Sequence, residues 1–135
     1  MEFLSEDVAW NLYEEAKLAA SFAYAPFSEF PVGAAVLTSS GAIFRGTNVE
    51  NASYGLTICA ERIAIGNTIS SGTIEIKAIA VYTATGPATP CGACRQFIIE
   101  FGKDIIVLFK QGDELIQKPI SELLPFAFDK SMLQA

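Results

Sequence analysis

Three cysteines constrain this chain more than any other feature. Cys59 opens the segment Cys59-Ala60-Glu61-Arg62, the other two lie in Pro90-Cys91-Gly92-Ala93-Cys94, and the chain has no histidine. A metal site that only supports structure is usually closed by four Cys or His side chains. This chain offers three such ligands. Convergence of the three sulfurs therefore predicts a metal site with one position left for water, which is typical of a catalytic zinc.

Two simpler interpretations compete with this one. A Cys-x-x-Cys pair alone is more often a redox or structural motif, and buried cysteines are often inert apolar side chains. Glu61 has its own alternative, because acidic residues are common in the first turn of a helix. A thioredoxin-like dithiol would not need Cys59 or Glu61, and Glu61 lies two residues from the first possible metal ligand. We therefore favour a catalytic metal with Glu61 beside it.

Composition narrows the class of protein. A chain of 135 residues is the usual size of one domain, so residues 1–135 are expected to form a single catalytic domain. Charged residues make up 18% of the chain, below the roughly 25% that is common, which favours some surface being covered in an oligomer. The net charge of −6, with nine scattered basic residues, argues against a nucleic-acid partner.

The expected compartment is the cytoplasm. No apolar run approaches the ~20 residues that span a bilayer, so no membrane partner is expected. The first residues include Glu2, Glu6 and Asp7 and do not resemble a signal peptide. An odd number of cysteines argues against a disulfide framework and favours reduced thiols that can bind metal.

The periodicity predicts alternating helices and strands. Ser5 is expected to cap a helix over 5–22 whose core face is Leu4, Val8, Leu12, Ala16 and Ala19. Further helices are predicted over 59–69 and 91–101, the latter ended by Gly102. Strands are predicted over 32–38, 43–49, 76–83 and 105–109, and around 115–116, with turns at 39–41 and 111–113 and a last turn capped by Ser121.

This order predicts an α/β fold. Strands that alternate with helices favour parallel neighbours and helices that cover the sheet. We expect a three-layer α/β/α sandwich around a mixed sheet of about five strands. The segment Pro26–Pro31 is expected to be a loop, because its two prolines exclude regular structure.

The two cysteine motifs resemble the signature of zinc-dependent nucleobase deaminases, Cys-x-Glu followed by Pro-Cys-x-x-Cys. From about Tyr24 to Phe128 the chain resembles the cytidine deaminase family, in its small three-cysteine form. The resemblance implies the fold described above and hydrolysis of cytidine and 2′-deoxycytidine to uridine and 2′-deoxyuridine in pyrimidine salvage. It implies one Zn²⁺ per subunit, held by Cys59, Cys91 and Cys94. A zinc-bound hydroxide would attack C4 while Glu61 carries the proton.

Charge balance points to two arginines. Three thiolates and one Zn²⁺ leave a net negative centre, which weakens the metal as a Lewis acid. Arg62 directly follows the first motif and Arg95 directly follows Cys94. We expect both guanidinium groups to donate hydrogen bonds to the thiolates and withdraw charge from the metal.

The resemblance also implies substrate contacts. Asn48 and Glu50 match the segment that binds ribose, and Phe27 matches the aromatic residue of the pyrimidine pocket. Turn formation is the alternative for Asn48 and Glu50, as it is for Asn51 and Ser53, which we assign to it. Core packing is the alternative for Phe27, and we adopt it for Phe30. Main-chain groups of Ala60 and Pro90 resemble contacts to the base.

The apolar segment 123–128 is expected to dock rather than hang free. The resemblance implies a homotetramer in which Phe128 reaches a neighbouring site, with burial in its own subunit as the alternative.

Other functions remain open at this point. Blasticidin S deaminase is also small, zinc-dependent and similar around Cys-x-x-Cys, although the run 48–52 and Arg62 look more like cytidine deaminase. A polynucleotide-editing deaminase would need a basic groove, which the composition lacks. A zinc-stabilised interaction module without activity would need a fourth ligand to close the metal site, from a carboxylate or a neighbouring chain.

Overall fold

The computed structural model describes residues 3–85 and 88–133, and its first helix, α1, spans Glu6–Ala20. The Ser5 hydroxyl accepts a hydrogen bond from the Val8 amide at 3.4 Å, so the predicted cap is confirmed. The helix ends two residues before the predicted position 22. Val8, expected in the core, is 43% exposed. A helix advances about 100° per residue, which places Val8 at the margin of the stripe centred between Leu12 and Ala16.

Five strands form one mixed sheet in the order β2-β1-β3-β4-β5. They are β1 (Val32–Thr38), β2 (Ile43–Thr47), β3 (Ile76–Thr83), β4 (Ile106–Gln111) and β5 (Glu114–Pro119). Only β3 and β4 pair in parallel among the described strands, and the other pairs are antiparallel. The predictions for β1 and β3 are confirmed to the residue, whereas β2 is two residues shorter than predicted and β5 is longer.

Helices cover both faces of this sheet. On one face α1 packs against Ala35, Leu37, Ala78, Ala80, Ile106 and Leu108. On the other face, α2 (Ala60–Ser70), α3 (Gly92–Ile99) and α4 (Ile120–Leu123) pack against Ala34, Val36, Ile79 and Val107. The side chains of β1 alternate between the two cores, as a pleated strand requires. The predicted three-layer α/β/α sandwich is confirmed.

Two glycines allow the helices to lie directly on the strands. A Cβ added to Gly33 would lie 1.9 Å from the Ala16 carbonyl oxygen of α1, and one added to Gly46 would lie 2.3 Å from the Ala64 amide of α2. Such distances leave no room for any side chain. Gly46 thereby sets the depth of α2, whose N-terminus lies within the first cysteine motif.

The remaining boundaries differ in small ways. Gly102, at φ 149°, follows α3, and Gly112, at φ 63°, forms the turn between β4 and β5. Ser121 lies inside α4, and Pro119 is the N-cap, so the predicted cap at Ser121 is wrong. The longest described helix is α1 with 15 residues, and no helix of the described residues is long and apolar enough to cross a membrane.

Candidate active site

The N-termini of α2 and α3 bring the two cysteine motifs together. Cys59 is the N-cap of α2 and Cys91 is the N-cap of α3, both with extended backbone, and neither side chain makes a capping hydrogen bond. Cys94 lies one turn into α3 and is fully buried. The sulfurs of the two caps are therefore free for other ligands, at helix ends whose dipoles favour thiolate.

The three sulfurs form one cluster. All of them lie within 4.8 Å of one another, and no carboxylate oxygen of the described residues joins them within that distance. Thiolates are soft ligands that bind zinc at about 2.3 Å in tetrahedral sites. Three convergent thiols without a fourth protein ligand in the described chain fit a zinc ion with one open position. The convergence predicted from the sequence is present.

Electrostatics distinguish Cys59 from Cys94. Hydrogen bonds from Cys94 and Arg62 lower the pKa of Cys59 to about 5. The same hydrogen bond to Cys59, together with burial, raises the pKa of Cys94 far above its usual range. This pair therefore favours the thiolate form at Cys59 and the thiol form at Cys94. Zinc binding requires deprotonated sulfurs, so it would release protons here.

Arg62 contacts the cluster as predicted. Its Nη2 lies 3.8 Å from Cys59 Sγ and donates to the Thr57 carbonyl oxygen at 3.3 Å. The Arg62 Nε is buried and has no hydrogen-bond partner among the described residues. The guanidinium thus offers positive charge to the Cys59 sulfur, which suits a metal held by three thiolates.

Arg95 was also predicted to donate a hydrogen bond to a thiolate, but its described hydrogen bonds go elsewhere. Its Nε donates to the Pro90 carbonyl oxygen at 2.8 Å, its Nη1 to the Leu123 carbonyl oxygen at 2.7 Å, and its Nη2 to Thr89 Oγ1 at 3.3 Å. None of these described hydrogen bonds reaches a thiolate. The side chain of a residue next to Cys94 leaves the helix in another direction, because successive helical residues differ by about 100°.

Glu61 is a buried carboxyl group, with 5% of its surface exposed, in the first turn of α2. Burial raises its pKa above the usual range, and the negative charge of Cys59 adds to the effect. A carboxyl group whose pKa is shifted toward neutrality can both accept and donate a proton. Glu61 can therefore lie in the first turn of α2 and also take part in the chemistry of the site.

Glu61 lies in the wall of a cavity of about 310 Å³. Its lining includes Cys59, Ala60, Cys91 and Phe30, together with Val81 and Thr83 at the carboxyl end of β3. A volume of this order is at the lower end of small-molecule sites. Cysteine sulfurs and a carboxyl group therefore share one enclosure at the end of the sheet. Ala60 lines this cavity, whereas Pro90 is buried and its carbonyl oxygen accepts a hydrogen bond from Arg95. The contacts of their main-chain groups to a base stay predictions.

Asn48 lines the same cavity but has backbone partners. Its Oδ1 accepts from the Val32 amide at 3.0 Å, and its Nδ2 donates to the Phe30 carbonyl oxygen at 3.0 Å. This pair ties the loop before β1 to the end of β2. The amide therefore has a structural role, with one Nδ2 hydrogen and one Oδ1 lone pair left for a ligand.

Glu50 holds the proline-bracketed loop. Its Oε1 accepts from the amides of Phe27 at 2.9 Å and Ser28 at 3.1 Å, and its Oε2 accepts from the Ser28 hydroxyl. The Ser28 hydrogen bond is the main reason that the pKa of Glu50 is lowered. The carboxylate stays ionised and can accept only, as a contact to sugar hydroxyls would require. Asn51 and Ser53 form a turn, as assigned.

Both loop phenylalanines line cavities. Phe30, assigned to core packing, is 44% exposed and lines the cavity of Glu61, so that assignment is wrong. Phe27 lines an adjoining cavity of about 400 Å³ with Ser28, Glu50, Tyr54 and Thr57. Phe27 and Tyr54 meet edge to face at 6.1 Å. Thr57 borders both cavities, so they adjoin at this residue.

Phe128 is not buried in its own subunit. It is 57% exposed, and its carbonyl oxygen accepts a hydrogen bond from Gln96 Nε2 at 2.7 Å. Leu123, Leu124 and Ala127 pack against the core, while Phe126 is fully exposed at φ 54°. The segment docks as predicted, but its aromatic side chains face outward.

Sequence reasoning missed several lining residues, namely Val32, Thr57, Val81, Thr83, Ala88 and Thr89. Most carry no catalytic chemistry, so no motif could have identified them. Thr57 had one available signal, its position two residues before Cys59. The pairing of Val49 with Ile58 folds the segment back and brings Thr57 to the cavity.

A three-layer domain that presents three sulfurs and a buried carboxyl group at two helix N-termini defines a class of zinc-binding deaminase domains. Residues 7–110 match the family model described as "Cytidine and deoxycytidylate deaminase zinc-binding region". The chain belongs to this family.

Individual proteins agree with this assignment. A cytidine deaminase of Sporosarcina psychrophila is 45% identical over 126 residues, covering 91% of this chain and 93% of that protein. A crystal structure of cytidine deaminase from Burkholderia pseudomallei superposes with a TM-score of 0.84 at 45% identity, covering 93% of this chain and all of that one. A blasticidin-S deaminase of Bacillus cereus is 31% identical over 109 residues, covering 74% of this chain and 78% of that protein.

Proposed function

We propose that this protein hydrolyses cytidine and 2′-deoxycytidine to uridine and 2′-deoxyuridine, with release of ammonia. The observation that carries the proposal is the shared enclosure: buried Glu61 and two cysteines of the cluster, Cys59 and Cys91, line one cavity sized for a small ring. The similarity to proteins named cytidine deaminases supports the choice of substrate.

Cys59, Cys91 and Cys94 would hold one zinc per chain. When bound, zinc supplies Lewis-acid activation of water at neutral pH. Arg62 offsets the excess negative charge of three thiolates through its contact with Cys59. Arg95 acts elsewhere, because its donors are taken by the Pro90, Leu123 and Thr89 oxygens.

Glu61 moves the protons. It accepts a proton from the water that attacks C4, and it donates a proton to N3 of the ring. It then carries a proton to the amine at C4, which leaves as ammonia while the C4 oxygen becomes a carbonyl. Burial supports this role, because it raises the pKa of Glu61 toward neutral pH. A carboxyl group with such a pKa can both accept and donate a proton.

The remaining cavity walls would bind the nucleoside. Phe27 and Phe30 offer aromatic faces to the pyrimidine and sugar. Asn48 lines the Glu61 cavity and Glu50 lines the adjoining one, where the ionised Glu50 can accept from ribose hydroxyls. Main-chain groups of Ala60 and Pro90 are proposed to orient the base, with the Pro90 oxygen shared with Arg95.

We infer that the working form is a homotetramer with sites shared between subunits. Large apolar side chains are exposed in the single chain, among them Phe22, Tyr54, Phe126 and Phe128, with exposed fractions of 72%, 76%, 104% and 57%. Large apolar side chains exposed in this number support an interface with other chains. Light scattering should give four chains, and a fully active monomer would exclude shared sites.

The cytoplasm and pyrimidine salvage are the proposed setting. All three cysteines are free, and reduced thiols that can bind metal are typical of a reducing compartment. The products are nucleosides, which suits reuse of pyrimidines.

A blasticidin S deaminase activity is the second candidate, because the same cluster and carboxyl group would serve it and a relative of that name matches. The lower identity of that relative favours cytidine. The test is ultraviolet absorbance of purified zinc-loaded protein with cytidine, blasticidin S and adenosine in parallel. Loss of the cytidine signal alone supports the proposal. Turnover of blasticidin S but not of cytidine would favour the second candidate. No turnover of any of the three compounds would favour a zinc-stabilised interaction module.

A further inference from the structure

The Arg95 side chain connects three parts of the chain, namely the loop before α3, α3 itself and the end of α4. From the first turns of α3 it donates to the Pro90 carbonyl oxygen at 2.8 Å, to Thr89 Oγ1 at 3.3 Å and to the Leu123 carbonyl oxygen at 2.7 Å. All three nitrogens of the guanidinium are engaged. The planar fork of arginine holds its donors in fixed directions, which lysine cannot reproduce.

Each of the three acceptors lies at a distinct place in the fold. Thr89 lines the Glu61 cavity, and Pro90 is buried directly before Cys91. Leu123 is the last residue of α4, where carbonyl oxygens lack partners inside the helix. Arg95 therefore joins the cavity wall to the end of α4. A charged donor to these oxygens is stronger than a neutral one.

The next residue extends this connection. Gln96 Nε2 donates to the Phe128 carbonyl oxygen at 2.7 Å, so α3 holds the segment 123–128 at two points five residues apart. Cys94 lies on the inner face of α3, and the next two residues, Arg95 and Gln96, bind the C-terminal segment 123–128. A displacement of the wall at Thr89 would be resisted by both attachments through α3.

The geometry points to Arg95 as a positioning residue. It fixes the Thr89–Pro90 wall of the cavity in place for the pyrimidine ring, through α3 and α4, without contact to the metal cluster or to substrate. This inference rests on the proposed function for its substrate. The hydrogen-bond arrangement itself does not depend on that substrate.

The test compares Arg95→Met and Arg95→Lys with the parent and with Arg45→Met. Methionine keeps much of the apolar stem, lysine keeps the charge, and Arg45 is an exposed arginine of β2 that serves as control. For Arg95→Met we expect one zinc per chain and a loss of kcat/KM of about 10- to 100-fold, mainly as a higher KM for cytidine. Arg95→Lys should recover part of the loss, and Arg45→Met should match the parent.

Hydrogen exchange gives a readout that needs no activity. In zinc-loaded Arg95→Met, the amides of residues 88, 89 and 91 should exchange faster, while those of β1 and β3 stay protected. Unchanged KM and unchanged exchange at these amides would overturn the inference. So would faster exchange throughout the sheet with an unchanged KM, because that pattern marks a general loss of stability. A parent that ignores cytidine would refute the proposed function, and the exchange comparison would still decide the role of Arg95.

Discussion

The two halves of the candidate site are built in different ways. The metal half consists of Cys59, Glu61, Cys91 and Cys94 at the N-termini of α2 and α3, where Glu61 is 5% exposed and Cys94 is fully buried. The proposed sugar half consists of Phe27 and Glu50 on loops and Tyr54 in a short 3-10 helix, where Phe27 is 50% exposed and Tyr54 is 76% exposed. The first half is complete within one chain, and the second is open to whatever covers it.

This difference suggests that the two halves contribute different parts of the function. Groups that transfer protons or hold metal need fixed positions, and helices packed on a sheet provide them. Groups that bind a sugar can lie on loops and be completed by a neighbouring chain. We therefore expect changes in the metal half to alter kcat, and changes in the sugar half to alter KM.

The largest effect is expected at Cys94. Cys94→Ser keeps the size of the side chain but replaces a soft ligand with a poor one, so zinc content should fall well below one per chain. Activity should fall by more than about 100-fold, since even residues that only support metal ligands cost 10- to 100-fold. Metal analysis and cytidine turnover measure both. Ala93→Ser, an exposed change on the same turn, is the control; a zinc-replete, active Cys94→Ser protein would remove Cys94 from the ligand set.

The next effect concerns how α2 is held. Gly46→Ala places a Cβ where the Ala64 amide lies 2.3 Å away, so α2 must shift. We expect a loss of about 1–3 kcal/mol in the free energy of unfolding, measured with denaturant, together with reduced kcat because α2 carries Glu61. Gly66→Ala in the same helix meets nothing within 4 Å and should instead stabilise by about 0.5–1 kcal/mol. Equal stability of the two variants would show that α2 does not depend on this contact.

Smaller changes are expected from the aromatic side chains. Phe27→Leu and Phe30→Leu each remove a ring from the cavity walls, and KM for cytidine should rise about tenfold with kcat nearly unchanged. Steady-state kinetics separate the two constants. Phe3→Leu, 59% exposed before α1, is the matched control. A large drop in kcat at constant KM would contradict the division between the halves.

The smallest effect is a titration shift at Glu50. The Ser28 hydroxyl is the main cause of its lowered pKa, so Ser28→Ala should raise that pKa toward the ordinary value. Because the pKa is lower in the folded state, the stabilisation is present above the unfolded pKa and is lost as pH falls through the folded pKa. NMR of the Glu50 carboxyl carbon measures the midpoint. An unchanged midpoint would mean that the Phe27 and Ser28 amides hold the carboxylate alone.

Much of the fold could be predicted because its signals are local. The spans of β1 and β3 and the cap at Ser5 depend on short patterns. The convergence of the three cysteines is a long-range contact, and the two-part deaminase motif implied it. Arg95, Phe30 and Glu50 could not be placed in the same way. Their partners lie 28, 18 and 23 residues away in the chain, for Leu123, Asn48 and Phe27, so only the tertiary fold decides which atoms meet.

The most direct test compares Glu61→Gln with Glu50→Gln, both loaded with zinc, in cytidine kinetics. The account predicts that Glu61→Gln keeps one zinc per chain and loses activity by about 100- to 10,000-fold in kcat, as removal of a general acid–base group does. Glu50→Gln should act mainly through a higher KM. Activity of zinc-replete Glu61→Gln within about tenfold of the parent would contradict the assignment of Glu61 as proton carrier.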